Sequence, residues 1–259
     1  MKETTLELSD YLSQAETNGE GVKALTVSHP SLSIEEAYNI QLATIDKKIN
    51  NGEAIVGKKI GLTSKAMQDL LGVDEPDYGH LLSSMSVQNN SEIETGRVMQ
   101  PKVEGEVAFV LKEDLKGPNV TTDEVLRATD YVAPAIEIVD SRILNWAFKL
   151  PDTIADNASS GLYVLGDETY SKDDIDLVEL NMILYKNKKE VNRGKGSAAL
   201  GHPAYCVAWL ANKLYDYGIT LQAGEVILSG ALSAAEEASS GDEFMVSFEG
   251  MEDVSVRFA

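Results

Sequence analysis

The order of the strand and helix signals constrains the fold of this chain more than any other feature. From about residue 96 onward, short alternating apolar segments outnumber the helical ones, with the clearest at residues 103–111 and 131–139. The helices do not alternate regularly with them, which argues against a doubly wound sheet or an eight-stranded α/β barrel. We therefore predict an α+β protein with a small N-terminal helical part, residues 1–95, and a strand-rich catalytic part, residues 96–259.

The N-terminal part has the periodicity of helices. Ser33 and Glu36 form a capping-box pattern at the start of one of them. Residues 54–60 then predict a strand that carries two lysines, and residues 64–71 predict a short helix. The lysine strand is thus expected within the N-terminal part.

Charge and cysteine content exclude several classes of protein. The formal net charge of −20 leaves no basic footprint for nucleic acid. The single cysteine, Cys206, excludes a disulfide framework or a cysteine-based zinc site within the chain. The N-terminal residues lack the apolar region of a signal peptide, and no segment has the length of a membrane span. We therefore expect a cytoplasmic protein that binds neither nucleic acid nor membrane.

Three glutamates interrupt the apolar strand segments. Glu104 and Glu106 are two residues apart, so strand alternation places their side chains on one face. Glu137 lies within the second apolar segment, where an isolated ionised carboxylate is costly to bury. Two interpretations remain open at this point. The glutamates are ordinary solvent-facing strand residues, or they surround one hard cation such as Mg²⁺ or Mn²⁺.

Three other segments carry polar residues with two interpretations each. Lys58 and Lys59 point to opposite faces of their strand, so only one of them can face an interior site. Residues 74–80 are rich in carboxylates, and residues 152–161 are a run of small polar residues. Both are consistent with ordinary loop chemistry or with substrate contacts. His202 lies at a predicted helix start, and we interpret it as structural.

Together these segments resemble one family. The resemblance runs from about residue 33 to residue 259 and is to the 2-keto-4-pentenoate (2-hydroxypenta-2,4-dienoate) hydratases of aromatic meta-cleavage pathways. Those enzymes group with the 4-oxalocrotonate decarboxylases in the fumarylacetoacetate hydrolase superfamily. The matching motifs lie, in chain order, at residues 58–61, 71–73, 101–109, 135–140, 152–161, 223–230 and 255–258.

The resemblance implies a fold and a set of site residues. The fold would be a mixed β-sheet rolled into a distorted barrel with flanking helices. The ligands of the metal, Mg²⁺ or Mn²⁺, would be Glu104, Glu106 and Glu137. Lys59 would be catalytic and would bind substrate together with Ser160. Asp77 and Asp156 would also be catalytic.

The implied activity is the metal-dependent hydration of 2-hydroxypenta-2,4-dienoate (2-oxopent-4-enoate) to 4-hydroxy-2-oxopentanoate. Residues 58–61 and 145–153 resemble the hydratases, whereas residues 201–203 resemble the decarboxylases. Decarboxylation of 4-oxalocrotonate is therefore the alternative. A third interpretation is a cation-stabilised binding protein of the same fold without turnover.

Two points are left open by the resemblance. Glu106, Asp77 and Asp156 are all candidates for the base that takes a proton from water. Relatives form homo-oligomers, including pentamers and decamers, so we expect a homo-oligomer of undetermined size. Association with the next enzyme of the pathway is a further expectation.

Overall fold

The computed structural model describes residues 3–65, 68–69 and 73–259. The short helix predicted over residues 64–71 and the motif at residues 71–73 therefore lie partly outside the described residues. Among the helices that are described, none is long and apolar enough to cross a membrane.

Three helices open the chain, as the N-terminal periodicity predicted. They are α1 (Glu3–Asn18), α2 (Leu25–Ser28) and α3 (Ile34–Asn50). The predicted capping box is confirmed: the Ser33 hydroxyl accepts a hydrogen bond from the Glu36 N–H, and the Glu36 carboxylate accepts one from the Ser33 N–H. These two backbone N–H groups have no acceptor within the helix itself, so the capping box fixes where α3 begins.

Three later helices flank the strands. They are α4 (Thr122–Ala128), α5 (Leu150–Ala155) and α6 (Pro203–Tyr215). His202 caps α6 because its Nδ1 accepts a hydrogen bond from the Ala204 N–H at 3.0 Å. The structural interpretation of His202 is therefore confirmed.

The larger sheet contains eight strands in the described chain. They are β1 (Ile55–Gly61), β2 (Asp77–Leu82), β3 (Ser86–Val87), β5 (Lys102–Leu111), β6 (Thr129–Val139), β7 (Ser160–Leu165), β10 (Val226–Leu228) and β11 (Glu236–Glu237). Their order is β2-β1-β10-β5-β6-β7-β3, with β11 added beside β5. The pairs β1–β10 and β3–β7 are parallel and the others are antiparallel. The predicted mixed sheet is confirmed: it forms a half-barrel with flanking helices.

The smaller sheet has five strands among the residues that the structure describes. They are β4 (Ser91–Ile93), β8 (Asn181–Lys186), β9 (Lys189–Lys195), β12 (Glu243–Phe248) and β13 (Val254–Phe258). Their order is β4-β13-β12-β8-β9. Strands β1 to β4 thus join sheets built mainly from later residues. The division at residue 95 does not coincide with a sheet boundary, and its two parts remain a prediction.

Strand β5 is buried on both faces, which positions the site. One face carries Val103 and Phe109, both fully buried in the main core. On this face a Cβ atom added at Gly105 would lie only 2.9 Å from a Val246 methyl group of the smaller sheet. The opposite face carries Glu106, also fully buried. The glutamates therefore lie on the face of β5 turned away from the smaller sheet.

Candidate metal and catalytic site

The three glutamates of the predicted metal site converge. Glu104 and Glu137 are cross-strand partners in the β5–β6 pair, and Glu106 follows on the same face of β5. One carboxylate oxygen from each of the three lies within 4.8 Å of the other two. The side chains of Glu106 and Glu137 are 0% and 1% exposed, so the interpretation as solvent-facing strand residues is wrong for these two.

The oxygens of this cluster fit a hard divalent cation. Glu106 Oε1 and both oxygens of Glu137 are buried, and no described residue gives them a hydrogen bond. Glu106 Oε2, by contrast, accepts a hydrogen bond from the Gly230 N–H at 2.8 Å. Leaving buried acceptors unsatisfied is costly, so a ligand is the natural partner for them. Three carboxylates suit Mg²⁺ or Mn²⁺ better than zinc.

The pKa shifts of the three glutamates also favour a cation at this site. Burial raises the pKa of Glu104 to about 7, with the charge of Glu137 adding to the shift and Lys59 opposing it. Burial and the charges of the other two glutamates raise the pKa of Glu106 well above its usual value. Burial also raises the pKa of Glu137. Without a cation the cluster therefore retains protons near neutral pH, because like charges cannot all ionise in a dry site.

Strand β1 brings one lysine to this cluster. Lys59 Nζ lies 3.3 Å from Glu137 Oε1 and donates a hydrogen bond to the Ala158 carbonyl at 3.1 Å. Lys58 turns to the other face, where its Nζ lies 2.5 and 2.7 Å from the two carboxylate oxygens of Glu225. Burial lowers the pKa of Lys59, but the charges of Glu137 and the other carboxylates outweigh it and raise the pKa. Lys59 is therefore an ammonium beside the glutamates.

Asp77 adjoins the lysine from the neighbouring strand. It begins β2 opposite Gly61, and its Oδ2 accepts a hydrogen bond from the Thr153 hydroxyl at 2.8 Å. Oδ1 is buried without a well-formed hydrogen bond from the described residues. A Cβ atom at Gly61 would lie 2.2 Å from this oxygen and 3.0 Å from Lys59 Nζ, so a side chain there would displace Asp77. Burial raises the pKa of Asp77, and Lys59 opposes the shift.

Asp156 and Ser160 flank a turn, residues 157–159, that follows α5. The Ser160 hydroxyl donates a hydrogen bond to the Asn157 carbonyl at 2.7 Å. Asp156 Oδ1 accepts a hydrogen bond from Arg142 Nε at 2.5 Å, and Oδ2 accepts one from the Ser141 hydroxyl at 3.1 Å. Both oxygens of Asp156 are thus engaged within the protein. Asp77, in contrast, has a buried oxygen without a well-formed hydrogen bond from the described residues.

Two residues of the site were not singled out from the sequence. Thr153 appeared only within a polar run, although it orients Asp77. Arg142 is only 7% exposed, yet an arginine just after a strand is ordinarily a surface residue, so its position in the chain gives no signal.

Comparison with known proteins shows the family of this chain. Residues 58–259 match the family model described as fumarylacetoacetate (FAA) hydrolase C-terminal. The chain is 49% identical over 215 residues to 2-hydroxypent-2,4-dienoate hydratase of Pseudomonas putida, covering 82% of this chain and 96% of that one. It is 47% identical over 236 residues to 2-hydroxyhexa-2,4-dienoate hydratase of Comamonas testosteroni, covering 90% and 89%.

A solved structure extends the likeness to the whole chain. The 4-oxalocrotonate decarboxylase from Pseudomonas putida G7, complexed with magnesium and adipate, has a TM-score of 0.97 and 36% sequence identity. The match covers 100% of this chain and 98% of that one. The chain therefore belongs to the fumarylacetoacetate hydrolase family, in the group of the 2-keto-4-pentenoate hydratases and 4-oxalocrotonate decarboxylases.

Proposed function

We propose that this protein is a metal-dependent hydro-lyase that converts 2-hydroxypenta-2,4-dienoate and water to 4-hydroxy-2-oxopentanoate. The observation that supports this proposal most directly is the cluster of Glu104, half-buried, with Glu106 and Glu137, both buried, beside the Lys59 ammonium. It occurs in a chain whose hydratase relatives are 41% to 49% identical over most of its length. A role in the catabolism of aromatic compounds follows from this activity.

The three glutamates would hold Mg²⁺ or Mn²⁺. When bound, the cation supplies Lewis-acid polarisation of the oxygens of a 2-oxo acid and stabilises negative charge there. The buried oxygens of Glu106 and Glu137 that accept no hydrogen bond from the described residues support this assignment. The magnesium in the decarboxylase structure of 36% identity supports it independently.

The proton transfers would depend on Lys59 and Asp77. Hydration requires loss of the proton from the C2 hydroxyl of the dienol, delivery of one to C5, addition of water oxygen at C4 and delivery of a proton to C3. Asp77 Oδ1 is free to take a proton from water, and the adjacent Lys59 ammonium stabilises the carboxylate that must do so. Ser160 would bind substrate beside Lys59. Asp156 is the weaker candidate for the base, because its oxygens already accept hydrogen bonds.

The second candidate is decarboxylation of 4-oxalocrotonate. The observation that favours it is the whole-chain structural match to the Pseudomonas putida decarboxylase. The hydratase relatives are nearer in sequence, at up to 49% identity against 36%. We therefore retain hydration as the main proposal.

One assay distinguishes these activities. The purified protein is incubated with Mg²⁺ and either 2-hydroxypenta-2,4-dienoate or 4-oxalocrotonate, while ultraviolet absorbance and carbon dioxide release are followed. We expect loss of the dienoate absorbance without carbon dioxide release. Release of carbon dioxide from 4-oxalocrotonate would support the second candidate, and no reaction with either substrate would support a binding protein.

The assembly and location of the protein belong to the same proposal. A homo-oligomer, its association with the next enzyme of the pathway, and a cytoplasmic location all remain predictions from the sequence. Light scattering on the purified protein measures the first of these directly. A monomeric mass at working concentration would contradict it.

A further inference from the structure

A short turn beside the site has an unusual backbone. Its three residues, Asn157, Ala158 and Ser159, have φ values of 56°, 51° and 51°, and none of them is glycine. Left-handed backbone is sparsely populated by such residues and persists only where the surroundings impose it. The Ala158 carbonyl is the one that accepts the hydrogen bond from Lys59 Nζ. The conformation of this turn therefore sets one contact of the lysine.

Arg142 spans this turn from end to end. Its guanidinium donates to the carbonyl of Asp156, which precedes the turn, and to the carbonyl of Ser160, which follows it, the latter at 2.8 Å. A further hydrogen bond of 2.6 Å runs to the carbonyl of Asp140, the residue that follows β6. Because the guanidinium is planar and rigid, these bonds fix the distance between the two ends of the turn.

Asp156 in turn fixes Arg142. Its Oδ1 accepts from Arg142 Nε at 2.5 Å, and its Oδ2 accepts from the Arg142 backbone N–H at 3.1 Å. The hydroxyls of Ser141 and Ser159 also donate to Oδ2, at 3.1 and 3.3 Å. Each oxygen of the Asp156 carboxylate therefore already accepts at least one hydrogen bond within the protein.

The other side of the turn is clamped to β2. The Asn157 side chain accepts from the His80 backbone N–H at 2.7 Å and donates to the His80 carbonyl at 2.9 Å. A Cβ atom at Gly79 would lie 2.4 Å from the Asn157 carbonyl, so the strand and the turn are in direct contact. Strand β2 also carries Asp77. The turn therefore links the supports of Lys59 and Asp77.

We infer that Arg142 and Asp156 are a positioning pair for the proposed reaction. They hold residues 157–159 in the left-handed form, so that the Ala158 carbonyl keeps the Lys59 ammonium beside Glu137. Neither member of the pair acts on substrate. This inference rests on the proposed role of Lys59, and it gives Asp156 a positioning role in place of the acid–base role that the resemblance implies.

A double-mutant cycle in the hydratase assay tests the pair. Asp156→Asn removes the charge with little change in volume, and we expect kcat to fall about 10- to 100-fold because a misplaced catalytic group has that effect. The KM should change less, and both limbs of the pH profile should remain. Combined with Lys59→Met, the Asp156→Asn change should cost almost nothing further, because both act through the same group. Multiplicative losses, or loss of one limb, would overturn the inference.

Two further variants keep the test decisive. Glu225→Gln alters a comparable buried ion pair, that of Lys58 on the other face of β1. Its effect on kcat should multiply with the effect of Lys59→Met, because the two act independently. Ser141→Ala removes one hydrogen bond to Asp156 and should fold even if Asp156→Asn does not. Its kcat should fall about 2- to 5-fold, in proportion to one lost hydrogen bond. An unchanged kcat in Ser141→Ala, with Asp156→Asn unfolded, would count against the pair.

A spectroscopic measurement needs no substrate. In protein labelled with carbon-13 at lysine Cε, the Lys59 resonance is assigned by its loss in Lys59→Met. We expect this resonance to shift in Asp156→Asn and Ser141→Ala and to stay in place in Glu225→Gln, where the Lys58 resonance shifts instead. An unmoved Lys59 resonance would overturn the inference. If the wild-type protein turns over neither substrate, the proposed function fails while this measurement still tests the pair.

Discussion

Glu137 of β6 lies 3.3 Å from Lys59 of β1, although two strands, β10 and β5, separate β6 from β1 in the sheet. Neighbouring strands are about 4.8 Å apart, so three spacings in a flat sheet would put the backbones roughly 14 Å from each other. The long lysine side chain and the curvature of the half-barrel close this distance. The concave side of the sheet thus gathers an ammonium and three carboxylates that distant segments contribute.

We first predict that the glutamate cluster binds the metal. Glu137→Gln keeps the shape of the side chain but removes a charged ligand, so the Mg²⁺ dissociation constant should rise more than about 100-fold, since loss of an outer-shell partner already costs 10- to 100-fold. Isothermal titration calorimetry measures it. Glu243→Gln, at an exposed position on β12 of the smaller sheet, is the matched control and should bind like the wild type. Equal affinities for all three proteins would contradict the site.

Metal binding should release protons. The metal-free cluster holds protons near pH 7, because the pKa of Glu104 is raised to about 7 and that of Glu106 is raised well above its usual value. A cation needs the ionised carboxylates, so affinity should increase as the pH rises through this range. Calorimetry in two buffers of different ionisation enthalpy counts the released protons. Equal apparent enthalpies in the two buffers would rule out the coupling.

Removal of the metal should abolish turnover and leave the fold intact, because the core is apolar and does not depend on the cation. Mg²⁺ or Mn²⁺ should restore activity after EDTA treatment, and sodium chloride of matched ionic strength should not. Full activity in a metal-free sample would refute the mechanism.

Glu104 and Glu106 have folded-state pKa values above their unfolded values. The folded metal-free protein therefore binds more protons, and its free energy of unfolding should fall as the pH rises from about 4.5 to 7.

Of the two lysines of β1, Lys59 should affect mainly kcat and Lys58 mainly the free energy of unfolding. Lys59→Met should lower kcat about 100-fold or more, since it removes the positioned ammonium next to the proposed base. Lys58→Met leaves Glu225 buried without its partner and should lower the free energy of unfolding by about 3–5 kcal/mol, while the folded fraction keeps a near-normal kcat. Chemical denaturation and steady-state kinetics on both variants measure this. Equal losses of kcat would remove the catalytic role of Lys59.

Thr153 should lower the pKa of Asp77. Its hydrogen bond lowers the pKa of Asp77, so Thr153→Val should raise that pKa and move the acidic limb of the pH–rate profile to higher pH. Thr129→Val is the matched control, because its hydroxyl also makes one buried hydrogen bond, to the Val125 carbonyl at 2.7 Å. Both variants should lose about 1 kcal/mol of stability. Only Thr153→Val should shift the profile, and a shift in both variants would mean a global effect.

Local rules determined much of this protein. Strand alternation alone placed Glu104 and Glu106 on one face and Lys58 and Lys59 on opposite faces, because the side-chain period of a strand is fixed at two. The capping box at Ser33 located the start of α3 in the same way. The order of the apolar segments excluded the regular α/β folds, and the structure agrees.

Tertiary structure decided which charges meet. Nothing in the sequence pairs Arg142 with Asp156 or Lys58 with Glu225. A buried cation needs a carboxylate partner, and any of the 42 acidic residues of the chain could supply it. The predicted catalytic role of Asp156 came from the resemblance, whereas the hydrogen bonds that its carboxylate accepts come mainly from Arg142 and Ser141, which only the tertiary structure brings to it. A local pattern fixes the face on which a side chain lies. Only the curvature of the whole sheet fixes the distance between side chains from strands far apart in sequence.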